Sequence, residues 1–152
     1  MLMILFSIFL GIILTLILMP LGYMAPEWLL LINIYWAIAL PTNNRLFLAF
    51  FSGYFVDILY GQVLGITSLT FVIFIYIVLR LYNSLRYMTV TQQMVVISFL
   101  IVIKQHFFIW SNYVIGIDSD YIDLIISSVI SGILWPPIYF ILRYVRRKFQ
   151  IS

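Results

Sequence analysis

The sequence contains no cysteine and very little charge. Of its 152 residues, 9% are Asp, Glu, Lys or Arg, whereas 65% belong to the apolar set AVILMFWYC. The missing thiols exclude disulfides, thiolate catalysis and cysteine metal sites. A soluble domain carries charge on roughly a quarter of its residues. The shortage of charge, with a mean hydropathy of +1.17, therefore excludes a water-covered surface and predicts an integral membrane protein.

The groupings that carry enzyme chemistry are also missing. The sequence has no glycine-rich phosphate loop, no nucleophile elbow, no paired carboxylates and a single histidine, His106. One imidazole without a second ligand on its helix face does not predict a metal site. We therefore expect His106 to be a hydrogen-bonded packing residue, and the protein to be neither an enzyme nor bound to a cofactor.

Six apolar segments run through the sequence, separated by turns rich in proline, glycine or asparagine. They cover residues 2–19, 26–40, 46–60, 64–79, 91–113 and 121–142. A helix needs about 20 apolar residues to cross a hydrocarbon core of ~30 Å. The sequence therefore predicts an all-α integral membrane protein, a bundle of six transmembrane helices in one domain with a basic tail over residues 143–152.

The second and third segments are short for a membrane span, with about 15 residues each. A re-entrant hairpin is the alternative, and it would bring Arg45 and the turn 41–44 to membrane depth. A charged, irregular turn at that depth is costly unless protein or water surrounds it. Two true spans, shielded by neighbouring helices or lying in a locally thinned bilayer, are therefore the favoured interpretation.

Positive charges fall in every second gap between the segments. Arg45, Arg80 and Arg86 occupy two of these gaps, and the tail adds four more cations: Arg143, Arg146, Arg147 and Lys148. The intervening gaps hold no Lys or Arg, and the longest of them contains Asp118 and Asp120, with Asp123 at the start of the next segment. Because short loops rich in Lys and Arg stay in the cytoplasm, both termini are predicted to be cytoplasmic, and the loops around 22–27, 61–65 and 116–120 are predicted to face outward.

The same bias explains the isoelectric point of 9.3 without a nucleic-acid partner, since the cations mark membrane boundaries. We expect the tail cations to contact the membrane surface and to bind anionic phospholipid. A contact with a cytoplasmic protein is the alternative for the tail.

Two charges, Asp57 and Lys104, lie deep inside the predicted spans, away from the ends that adjoin loops. Each lies twelve residues from a cytoplasmic boundary, at Arg45 and Gln92 respectively, which corresponds to a depth of roughly 18 Å at 1.5 Å per residue. Intramembrane charges cost at least ~2.5–3.5 kcal/mol on insertion scales and usually pair. Equal depth and opposite sign therefore predict an ion pair between Asp57 and Lys104, either a structural clasp or a coupling site.

Small residues recur at helical spacing in the first and third segments. Such stripes let helix backbones approach closely in lipid, either within one chain or between partners. The stripe residues that we consider candidates for packing against a partner are Ser7, Gly11, Thr15, Ala49, Gly53, Gly61 and Gly65.

These features together resemble a known family. The motifs that carry the resemblance are Pro26-x-Trp28, Tyr35-Trp36, Pro41, Ala49-Phe50-x-x-Gly53-x-x-x-Asp57-x-x-x-Gly61-x-x-x-Gly65, Gly132-x-x-Trp135-Pro136 and the basic tail. This pattern resembles MreD, the family of rod shape-determining membrane proteins, over nearly the whole chain. The stretch of glycines around Asp57 is its most specific part.

The resemblance implies a non-catalytic scaffold of the cell-elongation machinery in the bacterial inner (cytoplasmic) membrane. It implies direct binding to MreC and direct or indirect association with MreB, RodA and a penicillin-binding transpeptidase. It also implies a fold similar to the substrate-binding subunits of energy-coupling-factor transporters, and a subunit for vitamin uptake is therefore the alternative function. The scaffold is favoured because the turn 61–65 is too short to form a lid and few polar groups converge.

Overall fold

The computed structural model describes residues 2–42, 44–116 and 121–149. Those residues form six α-helices and one short 3-10 segment, Met19–Met24, with no strand among them. The α-helices are α1 (Leu2–Leu18), α2 (Trp28–Ala39), α3 (Asn44–Tyr60), α4 (Ile66–Tyr87), α5 (Val90–Ile115) and α6 (Tyr121–Lys148). The predicted all-α class is confirmed. Two residues of the predicted acidic gap, Asp118 and Asp120, lie outside the described part of the chain.

Each of the six predicted segments is helical, but their lengths differ. Four described stretches are long and apolar enough to cross a membrane: Met3–Gly22, Ile66–Tyr87, Val90–Val114 and Tyr121–Lys148. At 1.5 Å per residue, the 12 residues of α2 extend about 18 Å and the 17 residues of α3 about 26 Å. Complete crossing by α2 and α3 stays a prediction.

The short α2 is the central helix of the bundle. Ten of its 12 residues, Leu29 to Ile38, are buried, and α1, α3, α4 and α6 all pack against it. A helix that is apolar on every side is stable only when neighbours cover it completely. The surrounding helices thus shield α2 from lipid, so its length does not have to match the thickness of the hydrocarbon core.

Small residues bring neighbouring helices together in two places. A Cβ atom added at Gly53 of α3 would lie 2.6 Å from the Ser68 Cα of α4. A Cβ atom at Gly132 of α6 would lie 1.8 Å from the Ser98 Oγ of α5. In lipid, where apolar burial contributes little, such close backbone contact is a principal source of helix association.

The small stripe of α1 also packs inside the chain. Ser7 and Thr15 are buried. The Ser7 Oγ accepts a 2.7 Å hydrogen bond from the Trp36 Nε1–H of α2. A Cβ atom added at Gly11 would lie 2.7 Å from the Ile32 Cδ1 of α2. This corrects the interpretation of the stripe as a surface for a partner. The small side chains that would suit a partner make room for the side chains of α2 instead.

The first half of the predicted stripe on α3 needs the same correction. Ala49 is completely buried and Gly53 contacts α4, so neither residue is open to a second protein. Gly61 and Gly65 have φ values of +61° and +106°, and nothing lies within 4 Å of a Cβ built on either of them. They are glycine because the α3–α4 turn requires the left-handed region of φ, and their contact with a partner stays a prediction.

Candidate functional site

The connection between α1 and α2 enters the bundle instead of forming an outer loop. The Ala25 carbonyl oxygen accepts a 2.7 Å hydrogen bond from the Ser127 Oγ, and the Glu27 N–H donates to the Ser131 Oγ at 2.9 Å. Ser131 lies ten residues after the start of α6, about 15 Å along that helix. Irregular backbone is tolerated at membrane depth only where the protein satisfies it, and the two serines of α6 do so.

Glu27 thereby reaches the middle of the bundle, where it forms an ion pair with Lys104. The Lys104 Nζ contacts the Glu27 Oε1, and the two side chains are only 5% and 15% exposed. The Gln105 Nε2–H donates to the same Glu27 oxygen at 3.2 Å. The rings of Phe71 and Phe108 lie 5.5 and 5.6 Å from the Lys104 Nζ, which adds cation–π attraction.

We call this group of Glu27, Lys104, Gln105, Ser127 and Ser131 the polar centre. The structure corrects the predicted pair of Asp57 with Lys104, because the partner of Lys104 is Glu27. The sequence had indicated that Lys104 lies at depth and needs an anion. Glu27 was assigned to an outer loop, since nothing in the pattern indicates that the α1–α2 connection descends between helices.

Asp57 receives its compensation from the first turn of α4. Its fully buried carboxylate accepts backbone N–H hydrogen bonds from Gly65 at 2.9 Å, Thr67 at 3.0 Å and Ser68 at 3.4 Å, and an O–H bond from Ser68 at 3.2 Å. The first N–H groups of a helix have no partner within the helix, and the helix dipole favours an anion there. Asp57 therefore fixes α3 to the start of α4 without a cation.

A cavity of about 60 Å³ adjoins the polar centre. Its wall includes Glu27, Lys104 and Thr67, and the indole of Trp28, whose buried Nε1–H has no hydrogen-bond partner. The space is sufficient for a few water molecules. It is well below the roughly 300–1,000 Å³ that is typical of small-molecule pockets.

The predicted tail cations lie at the opposite end of α2 from Glu27. The last turns of α6 contain Arg143, Arg146, Arg147 and Lys148, and the Arg146 Nη1–H donates to the Ala39 carbonyl at the end of α2 at 3.3 Å.

His106 is exposed, and its Nδ1 lies 3.0 Å from the Val102 carbonyl oxygen. In the described ranges, no three His, Asp or Glu side chains come together as a metal site would require.

Long apolar helices around a buried, internally paired set of charges define a multi-pass membrane protein of the all-α class. The model of one family, described as rod shape-determining protein MreD, matches residues 1–145. The chain belongs to the MreD family, and its role is therefore in cell shape.

A curated relative supports the assignment. The rod shape-determining protein MreD of Haemophilus influenzae is 27% identical over 135 residues, which cover 87% of this chain and 83% of that protein. No solved structure matches the chain. The predicted likeness to transporter substrate-binding subunits thus stays a prediction.

Proposed function

We propose that the chain is a non-catalytic scaffold of the bacterial inner membrane, which binds MreC and organises lateral peptidoglycan synthesis. MreB, RodA and a penicillin-binding transpeptidase would associate with it directly or through MreC. Both termini would be cytoplasmic, since the cations of α4 and α6 gather at one end of the bundle and short basic segments stay in the cytoplasm. Family membership supports this proposal.

The observation that carries the proposal is that, in the part of the chain that the structure describes, the buried charges all have structural partners. Glu27 pairs with Lys104, Asp57 accepts four hydrogen bonds at the start of α4, and the Arg45 Nε–H donates to the Leu40 carbonyl at 3.0 Å. A general acid or base needs a group that is free to exchange a proton with a substrate. Charges whose ion pairs and hydrogen bonds hold helices together suit a rigid scaffold better than an enzyme.

A partner within the membrane would contact the exposed apolar side chains, because the small residues of α1 and the first half of α3 are buried inside the chain. We place the MreC contact on α3, which packs mainly on α4 and exposes a row of aromatic rings on its other face: Phe47, Phe50, Phe51, Tyr54 and Phe55. Aromatic side chains bury large areas and form close contacts in interfaces. A single-pass helix could lie along this row.

Affinity purification in mild detergent tests both the partner and the surface. We expect the tagged protein to retain MreC, and the double variant F51A/F55A to retain about tenfold less. The matched control is V129A/I133A, which removes two exposed apolar side chains from α6 and should retain MreC as the native protein does. Equal loss in both variants would contradict the α3 surface, and no recovery of MreC would contradict the scaffold.

The alternative function, a vitamin-uptake subunit, rests on the cavity beside the polar centre. Its volume of about 60 Å³ is too small for a vitamin-sized ligand without rearrangement of the surrounding helices. Recovery of a pair of ATPases and a transporter core in the same purification, or of a stoichiometric small molecule, would favour uptake over the scaffold.

A further inference from the structure

A second and larger cavity lies at the end of the bundle where α2, α4 and α6 finish and α5 begins. Its volume is about 230 Å³, and its wall includes Tyr35, Tyr139, Arg86, Arg143 and Arg146. We call it the basic cleft. None of the five acidic residues of the sequence belongs to this wall, so three cations surround one space without a carboxylate to balance them.

Most of the donors of these arginines are unused. The Arg143 Nη1–H donates to the Tyr139 hydroxyl at 3.4 Å, and the Arg146 Nη1–H donates to the Ala39 carbonyl at 3.3 Å. Arg86 has neither a hydrogen bond nor an ion pair with any residue that the structure describes. Since a guanidinium has five N–H donors, at least two-thirds of those around the cleft are available to a ligand.

Tyr35 supplies an independent indication of a ligand. Its side chain is only 3% exposed, it contacts the rings of Trp36 and Tyr139, and it lines the cleft. Its hydroxyl has no hydrogen-bond partner among residues 2–42, 44–116 and 121–149. The hydroxyl is therefore free to donate a hydrogen bond to an atom that occupies the cleft.

We propose that the basic cleft binds a phosphate group, held by Arg86, Arg143 and Arg146, with the Tyr35 hydroxyl donating a hydrogen bond to it. The planar fork of arginine matches phosphate oxygens, and several forks around one space favour a multiply bonded anion. The cleft has the volume of roughly seven or eight water molecules at ~30 Å³ each. That is enough for a phosphate with part of a headgroup.

The site differs from the membrane contact that the sequence predicts for the tail. A diffuse attraction to an anionic surface would depend equally on every tail cation. The cleft includes Arg143 and Arg146 of the tail, excludes Arg147 and Lys148, and adds Arg86 from α4. The phosphate could belong to an anionic lipid headgroup or to a soluble phosphate, and these two sources share the same chemistry.

Binding of short-chain phosphatidylglycerol to the purified protein in neutral detergent tests the proposal. The pair R86Q/R143Q removes two cations from the wall, and the control pair R147Q/K148Q removes two cations of the same tail that lie outside it. We expect the first pair to weaken binding about tenfold or more, and the control pair to change it by less than about twofold. Short-chain phosphatidylcholine should bind weakly to all of them.

The variant Y35F distinguishes a loss of binding from a loss of folding, because it keeps the ring and removes only the hydroxyl. We expect it to weaken binding about threefold to tenfold while the melting temperature without lipid stays that of the native protein. Equal loss in the two charge pairs, or no loss in R86Q/R143Q, would overturn the proposal in favour of a diffuse surface attraction.

Competition by inorganic phosphate identifies the source of the anion. Displacement of phosphatidylglycerol by millimolar phosphate would support the site and show that the phosphate group alone is sufficient. Binding of phosphatidylglycerol that persists in phosphate would support the site with the lipid headgroup as its ligand. Equally tight binding of phosphatidylcholine would contradict the role of net negative charge and overturn the proposal.

Discussion

The polar centre and the basic cleft both gather charged side chains, one midway along the helices and the other at their ends. In the polar centre, Glu27 and Lys104 pair directly around a cavity of only about 60 Å³. In the basic cleft, three arginines surround about 230 Å³ without a carboxylate. Charge that the fold neutralises serves the fold, whereas charge that it leaves open at a cavity is available to a ligand.

The largest effect that we expect comes from breaking the pair in the polar centre. K104M should destabilise the protein by about 3–5 kcal/mol, because it leaves the Glu27 carboxylate buried without a cation. The double variant E27Q/K104M should be closer to the native protein than K104M is. Thermal unfolding in detergent measures both. The single variant E27Q completes the comparison. If the double variant loses as much unfolding free energy as E27Q and K104M lose in sum, the two charges do not interact.

Removal of the carboxylate at the start of α4 should be the next largest effect. D57A leaves the N–H groups of Thr67 and Ser68 without an acceptor, at an expected cost of about 1–3 kcal/mol. D57N should cost less, since an amide oxygen still accepts a hydrogen bond. D123N is the matched control in the first turn of α6. If D57A and D123N melt at the same temperature, Asp57 does not fix α3 to α4.

The two internal small stripes should differ in their tolerance of a methyl group. G53A places a Cβ 2.6 Å from backbone of α4, whereas G11A places one 2.7 Å from the flexible end of Ile32. We expect G53A to cost about 1–3 kcal/mol and G11A less than about 1 kcal/mol, because Ile32 can move. Denaturant titration of both variants checks the order, and the reverse order would contradict the packing described for α3 and α4.

The smallest effect on stability should come from the basic cleft. R86Q removes an exposed cation that has no partner among the described residues, so the free energy of unfolding should change by no more than about 0.5 kcal/mol. Its binding of phosphatidylglycerol should nevertheless weaken severalfold. This variant sharpens the contrast between the two regions, since a large loss of stability in R86Q would make the cleft a structural feature like the polar centre.

Much of the fold was predictable because the membrane imposes a strong pattern on the sequence. Six apolar segments between turn residues predict six helices, and the structure has them. Helix ends were less predictable: α4 continues to Tyr87 and α6 to Lys148, past the predicted limits at 79 and 142. Cations and aromatic residues at a membrane boundary interrupt the apolar pattern without interrupting the helix, so hydropathy ends before the backbone does.

The candidate sites were less predictable because they depend on contacts between segments. Lys104 was predicted to need an anion, but a choice between Glu27 and Asp57 required the path of residues 19–27. The serines of α6 that receive this path, Ser127 and Ser131, carry no signal of that role in the sequence. The small stripe of α1 was equally ambiguous, since a partner and α2 would both select Ser7 and Gly11.

The sequence by itself determined that this protein lies in a lipid bilayer, that it is all-helical and which family it belongs to. Low charge and long apolar runs leave no stable surface in water, and helices are the structures that such runs form in lipid. Only the tertiary structure decided how the few charges are used. A periodic pattern specifies which face of a helix is polar. Which helix packs against that face depends on how α2 and the α1–α2 connection lie between the other helices. That arrangement pairs Glu27 with Lys104 and directs the Asp57 carboxylate to the N–H groups at the start of α4. It leaves Arg86, Arg143 and Arg146 around an open cleft.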